Sequence, residues 1–343
     1  MHRRAFLQAS VASALTLSAS AAEAPRRVRI GFLGCSHSHG IAKLKLAQES
    51  PDWKCVGVFE PDAKPRAAAE KLGVKTLSQA QVLASSEVVV IESNAKDRYA
   101  LAKTALLAGK HVHIEKPPTV TLAEFRELLG LAEEKKVLLQ MGYMWRFNPG
   151  INAALEAARN GWLGDVFLVR GIINTSITGE SRRSFGEIAG GTMYELGCHL
   201  VDPMIRLMGK HAKVTPILRH DAKDPDELAD NCVAVFDFKH AIGIISSATM
   251  QPTAGVHRTF EVQGTNGIAV VKPLEQPVLT IDLAKEAGPY KKGSQIINFP
   301  PYKRYEPEFA ELATCIRTGK SLGIKPEEDA LVHEALLKAS GMH

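Results

Sequence analysis

Residues 28–40, VRIGFLGCSHSHG, run from an apolar strand pattern through a glycine-containing turn to the edge of a helical pattern over 41–50. That order is how a parallel α/β fold presents its phosphate-binding turn: a strand, a tight loop of small residues, and a helix whose first N–H groups receive negative charge. Gly34 stands at the first position of a Gly-x-Gly-x-x-Gly spacing, Ser36 at the second and His39 at the third, with Gly40 directly after. Ser36 is small, and its hydroxyl can donate to a phosphate. His37 and His39 raise the alternative of a metal site. Two such imidazoles share an ion only if further ligands converge on them. No nearby Cys or acid is obviously placed to join them, so no metal is expected, and the rings are read as lying beside the phosphates or the mouth of the site.

Reading outward, the alternation continues. Strand patterns at 54–62, 87–93, 111–118 and 137–143 are separated by helical ones at 63–73, 97–110 and 121–136. EVVVIES (87–93) is apolar enough to be buried on both faces, as parallel strands are. Glu60 ends the second strand. An acid there accepts hydrogen bonds from ribose hydroxyls and repels a 2′-phosphate, which favours NAD over NADP. After Pro149 the texture changes. A helix over 151–160 and a long strand over 164–177 lead to strands at 213–220, 231–238, 241–249, 258–263 and 267–272, several joined by short turns. Hairpin spacing of that kind implies an antiparallel sheet. One helix, 192–209, interrupts it, and helices at 306–318 and 326–340 close the chain. The predicted fold is α/β: an N-terminal Rossmann dinucleotide-binding domain over 25–148, then a C-terminal α+β domain over 149–343 with an open, mainly antiparallel sheet.

The chain has 343 residues, 45% hydrophobic and 23% charged, enough for two domains with real cores. Its net charge of +5 is scattered rather than gathered into a stripe, which argues against a nucleic-acid partner. Arg3-Arg4 precede a mildly apolar stretch that ends in Ala22-Glu23-Ala24, an A-x-A cleavage pattern. Residues 1–24 are therefore read as a twin-arginine-type signal peptide, with a periplasmic destination. A membrane anchor would need roughly 20 strongly apolar residues, whereas Gln8, Ser10, Ser13, Thr16, Ser18 and Ser20 dilute this stretch. No other segment is expected to span a bilayer. The five cysteines are odd in number and lack C-x-x-C spacing, so buried free thiols are expected rather than a disulfide framework.

Several stretches together resemble one family, the glucose–fructose oxidoreductase/inositol dehydrogenase/rhizopine-catabolism group (Gfo/Idh/MocA). ALLAGKHVHIEKP (105–117) resembles its Glu-Lys-Pro segment, GYMWRFNP (142–149) the end of its nucleotide domain, GGTMYELGCHLVDPMIRLMG (190–209) its histidine helix, and EPEFAELATCIRTGK (306–320) its closing helix. The resemblance implies a nicotinamide cofactor, a sugar, inositol or related polyol as substrate, and homo-oligomers built through the C-terminal sheet. It also places Glu115, Lys116 and Asn94 with Gly34, Ser36, His37, His39 and Glu60 around the cofactor, and Glu195 and His199 against the substrate.

The chemistry follows from residue types too. Lys116 falls at the carboxyl end of a parallel strand, where ligands of such sheets bind, and an ammonium there stabilises negative charge developing on an alcohol oxygen. His199 suits a general base. Glu195, one predicted helical turn before it, stands where the family usually has Asp. Two readings stay open for it: substrate contact, or a capping box in which its carboxylate returns to the N–H of Thr192. Arg146 is read as meeting polar substrate groups or pairing with an acid between domains. Trp145 either stacks on a sugar face or sits in the core. The functional expectation is an exported NAD-dependent oxidoreductase of a sugar or polyol. The alternatives are a redox-neutral enzyme with tightly held NAD and a non-catalytic sugar-binding relative.

Overall fold

The computed structural model describes residues 25–211 and 213–342; the proposed signal lies outside them. β1 (Val28–Leu33) pairs in parallel with β2 (Trp53–Phe59) and β3 (Val88–Ile91), and β4 (His111–Ile114) and β5 (Leu139–Met141) extend the sheet to the order β2-β1-β3-β4-β5. All four residues of β3 are fully buried, as its continuous apolar run implies. The crossovers are α1 (Gly40–Glu49), α2 (Ala63–Lys71) with α3 (Gln79–Ser85), α4 (Arg98–Leu107) and α5 (Leu122–Lys135). Capping boxes start two of them: Ser78 with Gln81 for α3, and Thr121 with Glu124 for α5.

α6 (Pro149–Arg159) starts on Asn148, whose side chain accepts from Ile151 N–H. Beyond it lies an eight-stranded sheet of β6 (Val166–Ile172), β7 (Lys213–Arg219), β8 (Asn231–Asp237), β9 (Ile242–Ala248), β10 (Thr259–Gly264), β11 (Gly267–Val271), β12 (Val278–Leu283) and β13 (Gly293–Asn298), ordered β13-β12-β11-β10-β6-β9-β8-β7. Only β6 and β9 pair in parallel; the other neighbours are antiparallel. One face is covered by α6, α8 (Cys198–Met208) and α10 (Pro326–Ala339). Among the described residues the opposite face carries no helix, and it presents Ile172, Ile217, Ile242 and Ile296, which the strand registers put on one side.

The structure departs from the expected elements in four places. α3, β12, β13 and the polar helix α7 (Gly179–Gly186) were not anticipated. α3 buries only Val82, and α7 buries only Arg182, so neither carries an apolar stripe to read. The expected division at residue 148 also assigns α9 (Glu306–Thr318) to the second sheet. Instead Phe309, Leu312 and Ala313 of α9 pack into the core beside Val28, Ile30 and Trp53, so α9 completes the first domain while α10 stays on the second sheet. All five cysteines are free; four are buried and Cys55 is half-buried.

Candidate active site

The turn after β1 is shaped by two glycines. Gly34 has φ +86°, and a Cβ on it would lie 2.9 Å from Ser93. Gly40 opens α1, and a Cβ there would lie 2.7 Å from the Cys35 carbonyl. The close strand–helix approach that the third fingerprint glycine usually permits is thus made by Gly40, one position later than the spacing predicts. Ser36 is half-exposed on the turn. Glu60 is buried at the end of β2, where its carboxylate accepts from the backbone N–H groups of Cys35 (2.7 Å) and Asp62 (3.0 Å). Asn94 lies after β3, before a short 3₁₀ turn at Ala95–Asp97. These residues fit a dinucleotide: a bare backbone cradle, a helix N-terminus, and an acid beside the ribose position.

Beneath the turn lies a buried ionic network that sequence reasoning missed. The Lys43 ammonium, on α1, is fully buried and donates to Glu92 Oε1 (2.7 Å), Glu115 Oε2 (2.8 Å) and His113 Nε2 (2.9 Å). Burial opposes its charge, yet Glu115, Glu92 and Glu308 hold its pKa above the ordinary 10.5. Burial and Lys43 push His113 down to about 4, so it is neutral; its Nδ1–H donates to Gln140 (2.9 Å). Gln140 in turn donates to the Glu308 carbonyl (3.0 Å), tying α9 to the sheet. The Glu308 carboxyl has no hydrogen-bond partner, and burial pushes it up to about 8. Glu115, expected beside the cofactor, is fully buried and serves this network: Oε1 accepts from Lys116 N–H (3.0 Å), while Oε2 meets Lys43 and His39 Nδ1 (3.1 Å).

Lys116 follows β4. Arg98, buried at the start of α4, fixes the segment by donating to the carbonyls of Lys116 and Pro117, each at 2.8 Å. The Lys116 ammonium donates to Glu195 twice, to its carbonyl (2.8 Å) and to Oε1 (3.0 Å). Burial works against that charge, but the Glu195 carboxylate keeps its pKa above 10.5. Glu195 is half-buried, and Lys116 and His37 hold it well below the usual carboxylate range. Its Oε1 lies 3.4 Å from His37 Nε2.

The capping-box reading of Glu195 does not hold: Thr192 N–H donates to the Ala229 carbonyl (2.9 Å) and no side-chain cap is present. Instead, Met193–Gly197 forms a π-helical turn that runs into α8. π turns recur at functional sites because they re-aim side chains and leave carbonyls available; here the Glu195 carbonyl takes the lysine. Gly197 and Pro203 inside the helical pattern were the available signal that this helix is irregular. Tyr194 points elsewhere, donating to the Thr119 carbonyl (2.7 Å).

His199 is packed against Trp145 (ring centroids 5.0 Å apart) and Tyr143 (6.4 Å), which orient it. Its Nδ1, Trp145 Nε1 and Tyr143 OH are buried without hydrogen-bond partners among the described residues. Burial, then the Lys116 charge, push the imidazole well below its ordinary 6.5, so it is neutral and free to accept a proton. Trp145 is buried and its contact is with His199, the core reading of the two. Arg146 is not presented to substrate. Its guanidinium is buried between Asp202 (2.9 and 2.7 Å) and Asp329 (2.5 Å), pairing α8 with α10. Asp202, three residues after His199 on α8, is thus used in that ion pair. The histidine pair is also better supplied with acid than the sequence implied: ligand-type atoms of His37, His39 and Glu115 lie within 4.8 Å of one another.

Comparison with known proteins agrees with this geometry. Residues 28–143 match the oxidoreductase family described as having an NAD-binding Rossmann fold, and residues 151–270 match the GFO/IDH/MocA C-terminal domain. An uncharacterised oxidoreductase of Schizosaccharomyces pombe is 33% identical over 178 residues, 51% of this chain and 48% of the relative. Trans-1,2-dihydrobenzene-1,2-diol dehydrogenase of Mus musculus is 28% identical over 240 residues, 68% of this chain and 70% of the relative. The chain spans about half the length of the first curated relatives it matches. Among solved structures, levoglucosan dehydrogenase in complex with NADH and levoglucosan superposes with a TM-score of 0.78 at 19% identity, covering 92% of this chain and 98% of that one. That likeness concerns the fold. With both of its halves matched, the chain belongs to the Gfo/Idh/MocA family of NAD-binding oxidoreductases.

Proposed function

We propose that the protein interconverts a secondary alcohol and its ketone on a sugar or cyclic polyol. The observation that carries this reading is the convergence of the Lys116 ammonium, held by Glu195, on the helix that presents the neutral His199 ring. NAD, when bound, supplies the hydride acceptor. In the oxidising direction His199 takes the hydroxyl proton. Lys116 fixes the oxygen and balances the charge it gains as that proton leaves. Glu195 keeps the ammonium charged and aimed, and Trp145 and Tyr143 keep the imidazole in place. The names of relatives support the substrate class: a dihydrodiol in one, levoglucosan in another.

Native mass spectrometry and a polyol panel test this reading. The expected result is a bound dinucleotide of NAD mass, or NAD binding on titration, with NAD reduction by at least one polyol that Lys116→Ala abolishes while cofactor affinity is kept. Unchanged turnover in that variant removes Lys116 from the mechanism. Turnover without added NAD selects the redox-neutral alternative. Two further parts of the reading have their own tests. Export predicts mature protein beginning at residue 25 in the periplasm. Assembly through the bare face of the second sheet predicts that Ile242→Glu lowers the mass measured by sedimentation.

A further inference from the structure

We propose that His37, His39 and Glu115 form a site for one divalent transition-metal ion at the mouth of the crevice beside Lys116. The donor set of two imidazoles and one carboxylate is one that binds zinc with a position left open for a further ligand. His39 Nδ1 is 3.1 Å and His37 Nδ1 3.7 Å from Glu115 Oε2. Donors about 2.1 Å from a tetrahedral ion lie about 3.4 Å apart; the two carboxylate separations bracket that value and all three donor atoms lie within 4.8 Å of one another, so binding needs the His37 ring to turn its Nδ1 from the His39 N–H it accepts here (3.3 Å) to the ion. The donors come from rigid places: His39 caps α1, Glu115 ends β4, and Lys43 and the Lys116 N–H hold the carboxylate. Oε2 takes the Lys43 proton on one lone pair and has a second for the ion.

A separate observation points to a cation at the same place. Glu92 gives its Oε1 to Lys43, while its Oε2 is fully buried, has no hydrogen-bond partner among the described residues, and lies 3.6 Å from His37 Nδ1. A buried carboxylate oxygen left in that state is costly unless something positive approaches it. Glu195 Oε1 lies 3.4 Å from the other nitrogen of the same ring. The site also has an entrance, because the His37 and His39 side chains are 11% and 15% exposed while Glu115 is sealed. Its open position would take an oxygen ligand, a sugar hydroxyl or carbonyl. This inference goes beyond the dehydrogenase reading and stands or falls separately, because ion binding is measured without substrate.

The test uses the chain without a polyhistidine tag, stripped with chelator and titrated with Co²⁺ while visible d–d absorption is followed; equilibrium dialysis with Zn²⁺ gives the stoichiometry. One ion per chain is expected. His37→Gln and His39→Gln are each expected to weaken binding by about 100-fold or more, since loss of a mere supporting partner already costs about 10–100-fold. His240→Gln, on an exposed surface histidine, is expected to change nothing. Thermal melting of each variant checks its fold; if His39→Gln melts early, His37→Gln alone decides. Absence of a Co²⁺ band at millimolar metal overturns the proposal. So does binding that both variants retain, because the ion then sits elsewhere.

Discussion

The pairing of Lys116 with Glu195 can be tested without knowing the substrate. Their charged atoms lie 3.0 Å apart, with side chains only 2% and 15% exposed. At an effective dielectric of about 20, charges at that separation attract by roughly 5 kcal/mol, much of which offsets the desolvation of both groups. Removing one partner leaves the other buried and unpaired, which costs about 3–5 kcal/mol. Lys116→Met and Glu195→Gln should each lower stability by about that amount, or roughly 5–10 °C in Tm for a chain of this size. The double variant should fall short of the sum of the two by about 2–3 kcal/mol. The sign with pH is fixed. The folded carboxyl of Glu195 lies well below its ordinary 4.5, so its contribution is present above about pH 4.5 and is lost as acid protonates it. The deficit of Lys116→Met relative to the unaltered protein should therefore shrink below that pH. Chemical denaturation of the four proteins at neutral and acid pH reads both quantities. A coupling below about 0.5 kcal/mol, or a deficit indifferent to acid, would show that the two groups do not act as a buried pair.

Other parts of the site make predictions of their own. Gly40→Ala places a methyl 2.7 Å from the Cys35 carbonyl and should reduce NAD affinity at least about tenfold, by fluorescence titration, with a stability loss of about 1–3 kcal/mol. Glu308→Gln should be within about 0.5 kcal/mol of the unaltered protein near pH 5. Because the folded Glu308 carboxyl is raised to about 8, the unaltered protein should lose stability relative to this variant as pH rises from about 4.5 to 8. Arg146→Met strands Asp202 and Asp329 and should cost about 3–5 kcal/mol in denaturant melts. Glu60→Ser should narrow the preference for NAD over NADP in paired titrations, while weakening both because Cys35 N–H loses its acceptor.

Much of the architecture was legible because it rests on local patterns. Alternating apolar runs and helical stripes located every strand of the first sheet, and the Glu-Lys-Pro segment and the histidine helix marked the two walls of the site. What was not legible depends on distant parts of the chain. Lys43 looks like a surface residue in IAKLKLAQE; only the carboxylates brought from β3 and β4, with His113, make it a buried centre. Arg146 could not be assigned between substrate and acid because Asp329 arrives from the far end of the sequence. The π turn escaped because helical periodicity does not distinguish an extra residue in one turn. The Glu195 capping signature was present in the letters, but the Ala229 carbonyl competed for the same N–H and won.

The return of α9 to the first sheet has a consequence for how the protein is made. Phe309, Leu312 and Ala313 leave the ribosome long after Val28, Ile30 and Trp53, which they cover. The nascent nucleotide-binding half must therefore wait, with an uncovered apolar patch, until α9 has emerged. A prematurely terminated product ending before residue 306 would keep that patch exposed, so α9 acts as a built-in proof that the chain has been made at least that far.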